Sequence, residues 1–592
     1  YNSFFGYKAG YANSSGYRNT YIGYFSGYES SEGYSNIFIG DSSGYYNNIG
    51  GNHNVFLGNS AGVHNDWGHN NVFIGNQSGY SNKTGCYNVF LGQHTGTKNT
   101  DGWQNVIIGA TSGYHNTSGS RNLFAGNWCG YNNTTGSANV FLGSKSGWYN
   151  TTGFDNIFIG DEAGYHSDTS SYNIFIGNQS GYSNNGGTFN VFIGRKTGWS
   201  NSTGTGNVLI GATVGYNNTT GSKNLFAGDL CGLHNTTGSN NIFLGYKTGW
   251  YNTSGFTNIF IGNQSGLGNT SGYDNIFIGS EAGFDSDTSY ANIFIGNGSG
   301  YKNKGGLANV FLGNRAGNEN ITGDNNTIIG HESGHYNSGN ANVLLGAYSG
   351  YFNSGSNNVL LGLSAGNSIG EGSHNTIVGF YAGAENSLGN DNVFLGSGAG
   401  RHAQGELNVF LGTNAGHYES GSNKLYIENS ITDSANALIY GDFFSDLLRF
   451  NASVGIGRIS VVNNLEVEGT ASKTTAGDWL ANSDRRIKIE IKDINNAFDL
   501  IAQLHPVKFK YTEEWRAKHS SVNDHEYYNF IAQEYSQVFP ASVKGSGEFL
   551  DGDDEELLQL DSYSAQVVTI QAVKDLIREN QLLNEKLNMV MK

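Results

Sequence analysis

The pentad Asn71-Val72-Phe73-Ile74-Gly75 decides the fold, because the same pattern returns along most of the chain. It comes back 17 residues later as NVFLG at 88–92 and again as NVFLG at 139–143. We count 25 copies between Gly6 and Gly412, nearly all spaced by 17 residues. The consensus is N-[VI]-F-[IL]-G-x-x-[SA]-G-Y-x-N-x-[ST]-G-x-x, which is the signature of a repeat architecture.

The composition of the repeat favours short strands joined by turns. Gly accounts for 89 of 592 residues, and each Gly inside a helix costs about 1 kcal/mol. Val, Ile and Phe favour strands, whereas clusters of Gly, Asn and Ser mark turns. The sequence therefore predicts a mainly β fold, a parallel β-solenoid or β-roll of about 25 coils with one coil per repeat.

Side chains alternate along a strand, so Val72 and Ile74 share one face and Phe73 lies on the other. We assign Val and Ile to the inside of the roll and Phe to a second apolar surface between chains. Few apolar side chains are available to offset the ordering of each 17-residue coil. The repeat therefore favours an assembly of several chains over a single-chain rod.

This repeat resembles the left-handed β-roll heads of trimeric autotransporter adhesins. Their shorter repeats also carry an Asn, a β-branched pair and a Gly. The period differs, and Phe stands where those heads have a small residue between Val and Ile. The resemblance implies a homotrimer.

A Lys–Trp pattern recurs at 143–148, 194–199 and 245–250, every three coils along one side. Its members are Lys145, Lys196 and Lys247 with Trp148, Trp199 and Trp250. Exposed Trp beside Lys suits stacking on sugars and contact with acidic groups, so we consider these six residues as a glycan-binding site. The alternative is a duplicated structural element in which each Trp packs on a neighbouring loop.

The repeats carry no signature of an active site, a metal or a cofactor. Glu162 and Glu281 occupy matching positions seven coils apart, whereas paired glycosidase carboxylates lie about 5–9.5 Å apart. Cys129 and Cys231 share one repeat position six coils apart, too far for a disulfide. Cys86 has no partner either, so we interpret all three thiols as small buried residues.

Charge and hydropathy restrict the possible partners. The net charge is −17 and no basic stripe is visible, which argues against nucleic acid. No apolar run approaches the ~20 residues of a membrane span, and no signal peptide is recognisable. The chain opens at Tyr1 inside a repeat, so we expect an export or attachment segment to precede it.

The period stops after Gly416, which divides the chain into a solenoid shaft (1–420), a β-rich neck (421–480) and a tail (481–592). Short strands are predicted in the neck at Lys424–Ile427, 437–441, Leu447–Phe450 and 454–457.

The tail has a different composition, with 32 of its 112 residues charged. Residues 494–504 have helical spacing and stop before Pro506, and 507–511 alternate like a strand. Residues 566–592 form a predicted coiled-coil helix. Its a and d positions are Val573, Leu576, Asn580, Leu583, Leu587 and Val590. Asn580 at an a position is typical of a residue that sets register and oligomer state.

Several motifs of the tail occur in the order of a known family. They are SDRRIK at 483–488, DINNAFDLIAQLHPVKFKY at 493–511, NFIAQE at 529–534 and VFP at 538–540. Together they resemble the endosialidase-type intramolecular chaperone domain that ends many phage tail fibres and tailspikes. The neck stretches at 423–430 and 438–457 also resemble tail-fibre-domain proteins of Bacteroidota and their phages.

The resemblance implies a domain that trimerises, templates folding of the preceding fibre and then cuts itself free. It implies Ser483 as the nucleophile on the Asn482–Ser483 bond and Lys488 as its general base. A hydroxyl needs such a base, and a neutral Lys needs a lowered pKa, from desolvation or from neighbouring Arg485 and Arg486. The enzyme activity expected is at most one self-cleavage per chain, with no cofactor.

These features together predict an extracellular homotrimeric fibre that attaches to a cell-surface glycan or receptor. Its owner is either a phage particle or a bacterial surface appendage, joined through a segment at the N-terminal end. A glycan-degrading tailspike and a structural spacer that binds nothing are the two alternatives.

Overall fold

The computed structural model describes residues 1–385, 389–457, 464–467, 485–519 and 522–592. They form two compact units. The first comprises Tyr1–Ser434 and Gly441–Leu447, and the second comprises Ala435–Tyr440 and Leu448–Lys592. The predicted domain boundaries at 420 and 480 stay predictions, and residue 480 lies outside the described residues.

The first unit is a parallel β-solenoid of 25 coils, as predicted. Each coil contributes one three-residue strand, and neighbouring strands pair in parallel at the same repeat position: Val72 beside Val89, and Phe73 beside Phe90. The strands are β1 Ser3–Phe5, β2 Thr20–Ile22, β3 Ile37–Ile39, β4 Val55–Leu57, β5 Val72–Ile74, β6 Val89–Leu91, β7 Val106–Ile108, β8 Leu123–Ala125, β9 Val140–Leu142, β10 Ile157–Ile159, β11 Ile174–Ile176, β12 Val191–Ile193, β13 Val208–Ile210, β14 Leu225–Ala227, β15 Ile242–Leu244, β16 Ile259–Ile261, β17 Ile276–Ile278, β18 Ile293–Ile295, β19 Val310–Leu312, β20 Thr327–Ile329, β21 Val343–Leu345, β22 Val359–Leu361, β23 Thr376–Val378, β24 Val393–Leu395 and β25 Val409–Leu411.

The interior of the solenoid is a ladder of stacked Phe rings. Phe73 is fully buried, and its ring lies 4.7 Å from that of Phe90, nearly parallel to it. Val72 is half-buried and Ile74 is 38% exposed on the outside of the coil. The prediction that Val and Ile fill the interior while Phe faces outward is therefore wrong.

The reason for this inversion is the narrow interior of the coil. Gly79 lies at φ +56° directly over the Phe73 ring, and a Cβ there would come within 2.5 Å of that ring. In most coils one flat ring fills this slot and stacks on the ring of the next coil, and in six coils Ile or Leu takes its place. Alternation then sends both flanking β-branched side chains outward.

Two ladders of buried Asn hold the coils in register. At the start of each strand, the Oδ1 atom of Asn71 accepts from the backbone N–H of Asn88 at 2.9 Å. The Nδ2 atom of Asn71 donates to the carbonyl of Gly85 across its own coil at 2.8 Å. In the second ladder, Nδ2 of Asn82 donates to Oδ1 of Asn65 in the preceding coil at 2.7 Å. Along most of the shaft each buried amide bonds to an identical residue one coil away. The second ladder is interrupted where Ser167 and Ser286 replace Asn, and the Oδ1 atoms of Asn150 and Asn269 beside these breaks have no hydrogen-bond partner among the described residues.

Variation in coil length is absorbed at one turn. The second-ladder Asn normally donates to the Gly carbonyl three residues later, as Asn82 does to Gly85. In an 18-residue coil the acceptor is four residues on, from Asn47 to Gly51, and in a 16-residue coil it is two, from Asn337 to Gly339. The strands therefore keep their register when a coil gains or loses a residue.

Short strands follow the last coil, in agreement with the predicted β-rich neck. They are β26 Lys424–Ile427, β27 Ile439–Asp442, β28 Leu447–Phe450, β29 Val454–Ile456 and β30 Leu465–Val467. Strand β26 pairs in parallel with β25, with Val409 beside Leu425, so it covers the edge of the final coil.

The C-terminal region is a small α+β fold that ends in a long helix. Its elements are 3-10 helix Arg485–Ile487, α1 Ala497–Gln503, β31 Pro506–Phe509, α2 Glu513–Lys518, β32 Tyr527–Phe530, α3 Ala532–Val538, 3-10 helix Pro540–Ser542, β33 Val543–Phe549, β34 Glu556–Leu560 and α4 Tyr563–Val590. Strands β31 and β32 are antiparallel, as are β33 and β34. The predicted helix at 494–504, the strand at 507–511 and the final helix are confirmed, each with shifted ends.

The Phe–Gly contact leads to a stability prediction. We expect Gly249→Ala to lower the free energy of unfolding by about 2 kcal/mol or more, because the new Cβ meets the Phe243 ring at 2.5 Å and φ is +58°. Gly305→Ala is the matched control, because a Cβ there meets nothing within 4 Å. Urea unfolding followed by circular dichroism measures both, and equal midpoints would contradict this account of the core.

Candidate processing site and aromatic column

Of the residues predicted to form the processing site, only Lys488 lies within the described residues. Asn482 and Ser483 lie outside the described residues, so the structure does not bring the nucleophile and its base together. Lys488 is exposed and follows the 3-10 helix Arg485–Ile487, and its backbone N–H donates to the carbonyl of Arg485 at 3.2 Å. The Ser483–Lys488 dyad stays a prediction.

The small core of the C-terminal region is formed by α1 and the first half of α4. Ala497 of α1 packs against Val568 and Ala572 of α4, and all three are buried. Tyr535 of α3 is also buried, and its hydroxyl accepts from the backbone N–H of Ala565 at 3.2 Å. Burial raises the pKa of the Tyr535 phenol.

The loop residues of this region are tied by surface ion pairs. Lys510 lies 3.1 Å from Asp524, and Arg516 lies 3.4 Å from the same carboxylate. Their hydrogen bonds and positive charges hold the pKa of Asp524 below its usual range. The acidic run that begins at Asp551 is a loop, as expected, and Asp551 pairs with Lys518 at 2.6 Å.

From Val573 onward, α4 presents an apolar face that the described residues of a single chain leave largely exposed. Its predicted a and d side chains are between 49% and 84% exposed: Val573, Leu576, Leu583, Leu587 and Val590. Asn580 lies exposed among them. A helix of this kind gains most of its stability from tertiary packing of its apolar face.

On the solenoid, two of the three aligned Trp residues, Trp148 and Trp199, belong to a longer stack that we call the aromatic column. Its seven rings are those of Tyr114, Tyr131, Trp148, Tyr165, Tyr182, Trp199 and Tyr216. Ring centroids are between 4.8 and 6.0 Å apart, and planes differ by at most 20°. One ring per coil at the coil spacing makes this continuous stacking possible.

Stacking limits what Trp148 and Trp199 offer to a ligand. Trp199 lies between Tyr182 and Tyr216, 5.2 Å from each, and Trp148 is covered on both faces in the same way. Only the ring edges face solvent, so a sugar has no free face on which to stack at these two positions. The neighbour-packing alternative accounts for this arrangement.

Trp250 differs from the other two, because Leu233 and Leu267 occupy its repeat position in the adjacent coils. The ammonium of Lys247 lies 4.8 Å from the Trp250 ring centroid, a cation–π contact. The glycan-binding hypothesis therefore rests mainly on the Lys247–Trp250 pair.

The Lys residues of the pattern share a turn position at φ between 53° and 56°. Lys145 forms an ion pair with Glu162 at 3.5 Å, and Gln179 donates to the same carboxylate at 2.9 Å. Lys196 is half-buried at the corresponding place three coils on. These side chains make a mixed polar rim beside the aromatic column.

A surface groove that the sequence analysis missed runs along another segment of the coils. We call it the Thr groove, a cavity of about 820 Å³ lined by His234, Tyr251, Thr236, Thr253, Asp285 and Asp287 among others. The His234 and Tyr251 rings are stacked at 5.6 Å, and each Thr hydroxyl donates to the next coil. Its sequence signal is a change at one repeat position, where a run of Thr that includes Thr236 and Thr253 gives way to Asp287, in contrast to the constant strand positions.

The thiols are not arranged for catalysis or pairing. Cys129 and Cys231 are buried, as expected, and burial raises the pKa of both. The Cys129 Sγ atom donates to the carbonyl of Phe141 at 3.1 Å, the role played elsewhere by Ser. Cys86 is only half-buried and lies 3.0 Å from Nδ1 of His69, so its assignment as buried is wrong.

The described part of the chain shows neither a metal cluster nor a membrane-spanning helix. Within it, no cluster of three or more His, Cys, Asp or Glu side chains is placed to hold a metal ion. No helix in the same ranges combines the length and apolar character needed to cross a bilayer.

Part of the C-terminal region matches a known family. Residues 483–544 match the S74 peptidase family model, described as chaperone of endosialidase. This match covers about a tenth of the chain and includes the segment around Lys488. No curated protein matches the chain. A β-solenoid followed by such a chaperone region is the arrangement of a tail-fibre-like protein.

The stacking geometry leads to a local stability prediction. We expect Trp199→Ala to speed amide hydrogen exchange in residues 182–216 by at least about ten-fold, because it breaks the stack in the middle. Trp67→Ala is the control, because Trp67 is 54% exposed and lies outside the aromatic column. Unchanged exchange around residue 199 would show that the stack contributes nothing to coil stability.

Proposed function

We propose that the chain is an extracellular homotrimeric fibre whose C-terminal domain is an intramolecular chaperone that starts assembly. The observation that carries this proposal is the uncovered apolar face of α4, within a region that follows the endosialidase chaperone match. Three copies of the helix bury this face against one another as a short coiled coil. Asn580 within the face sets the alignment of the chains.

The shaft explains why such a clamp is needed. At every step its coils pair Asn on Asn in the first ladder and one buried apolar side chain on another, mostly Phe on Phe, so a pairing shifted by one coil looks nearly native. Parallel pairing between distant segments is also slow to begin. A trimer formed at the C-terminal end sets the starting register, and coils add from there.

The fibre attaches, in this proposal, to a cell-surface glycan or receptor, with a phage particle or a bacterial appendage at its other end. The variable outer positions of the Thr groove and the Lys247–Trp250 pair supply candidate contacts. Glu162 and Glu281 remain in separate coils, after β10 and β17, which disfavours a glycan-degrading tailspike. Sugar release by the purified fibre distinguishes that alternative from binding alone.

We also propose self-cleavage at Asn482–Ser483, which the family match over residues 483–544 supports. The Oγ atom of Ser483 attacks the carbonyl carbon of Asn482 while Lys488 accepts the hydroxyl proton. The peptide C–N bond then breaks, the freed amine of Ser483 takes up that proton, and water hydrolyses the resulting ester, so the shaft is released once assembly is complete. Irreversible release leaves a fibre that is stable kinetically even after the domain that started its assembly has gone.

Mass spectrometry of the folded protein tests this step. We expect wild-type protein to yield pieces of 482 and 110 residues, and Ser483→Ala to stay whole. Lys488→Ala should slow cleavage by at least about 100-fold because the general base is lost. Lys492→Ala is the matched control and should cleave normally. An intact wild-type chain after folding would remove the self-cleavage role.

Native mass spectrometry tests the assembly role of α4. We expect wild-type protein to appear as three chains, each of 63.5 kDa before processing. Leu583→Asp should weaken association by at least about ten-fold, because it buries a carboxylate in the seam, and should lower the yield of folded shaft. Glu585→Ala, off the seam, is the control. A monomeric wild-type chain with a folded shaft would contradict the proposal.

A further inference from the structure

The outward side chains of the solenoid strands form one continuous apolar surface, which we call the strand face. It consists of the first and third residues of each strand from β1 to β25. Of these 50 side chains, 46 are apolar and the others are Ser3, Thr20, Thr327 and Thr376. None of them is charged, although the surrounding surface carries charges of both signs.

These side chains are exposed to solvent in the single chain. Each strand from β2 to β25 has a buried middle residue between two that are half-buried or exposed, as in β21, where Leu345 is 46% exposed. Packing inside the coil therefore does not require them to be apolar. A large exposed apolar patch on a soluble protein marks an interaction surface.

Comparison of repeat positions within this one chain supports that interpretation. Two repeat positions line the Thr groove: one changes among His234, Tyr251 and Asp285, and the other changes from Thr270 to Asp287 and Lys304. The strand face keeps Val, Ile and Leu over nearly the whole solenoid. Outward side chains are restricted to apolar residues in nearly every coil. This restriction indicates a partner that contacts every coil.

A second copy of the same chain meets this requirement. It offers an uncharged apolar face with the same coil spacing and the same number of coils, so apolar rows meet apolar rows along the entire length. With about 60 Å² exposed on each of two side chains per coil, the face offers on the order of 3,000 Å², far above the ~800 Å² per partner of a stable interface. A globular receptor covers only a fraction of this surface.

We propose that the strand faces of neighbouring copies pack against one another, parallel and coil to coil, and form the interface of the assembled shaft. The Thr groove, on another segment of each coil, stays open to solvent. The inference deepens the homotrimer proposed above, because it names the surface through which the shafts meet. It also assigns the Val and Ile rows the inter-chain role that the sequence had suggested for Phe.

Cross-linking in one coil tests this directly, using the full chain with Cys86→Ser and the buried Cys129 and Cys231 left in place. Val208→Cys and Ile210→Cys place a thiol on the strand face, and Thr219→Cys places one in the Thr groove of the same coil. A short bifunctional maleimide is added to the folded protein. We expect at least about five-fold more cross-linked chains from a strand-face thiol than from Thr219→Cys.

Two further measurements separate the possible failures. Leu583→Cys on α4 reports association through the helix, and native mass spectrometry reports the number of chains in every variant. An oligomer that cross-links through Leu583→Cys or Thr219→Cys but through neither strand-face thiol overturns the strand-face inference and leaves the homotrimer standing. A monomeric mass for all variants overturns both.

Discussion

The structure depends on one constraint, the stacking of each side chain on its own copy one coil away. Phe rings 4.7 Å apart fill the interior, and buried Asn amides satisfy one another across coils. The Asn ladder requires neighbouring coils to carry the same residue at the same position, and the interior requires an apolar side chain there, which is Phe in most coils. These requirements explain why the pentad hardly varies, and why insertions and deletions are confined to the turn after the second Asn ladder.

The same constraint creates a problem of specificity. Interactions that repeat without change stabilise every register almost equally, so the solenoid cannot choose its alignment from within. The C-terminal region has the opposite character, because its motifs occur once and its helix α4 has a single Asn in its apolar face. In our proposal the non-repetitive C-terminal domain aligns the chains, and the strand face then holds the aligned shafts together.

Much of the fold followed from pattern alone. The 17-residue period predicted one strand per coil, and the breaks in composition located the short strands after it and the helix before Pro506. The prediction of which strand face is buried was wrong. Alternation places Phe73 on the opposite face from Val72 and Ile74, but it does not determine which face lies inside. Cys86 was wrongly predicted to be buried for a related reason. The repeat shows which residues are equivalent, but their burial depends on the path of the turn in three dimensions.

For the candidate sites, the sequence indicated which residues to consider, and the geometry showed which of them are accessible to a ligand. The sequence by itself determined the repeat, the coil number, the chaperone motifs and the placement of Trp148, Trp199 and Trp250 on one side, because these follow from period and order along the chain. Only the tertiary structure decided that Trp148 and Trp199 have both faces covered, that Phe is the core and that Val and Ile face outward. These facts depend on the width of the coil interior and on contacts between residues 17 positions apart, which no local pattern contains.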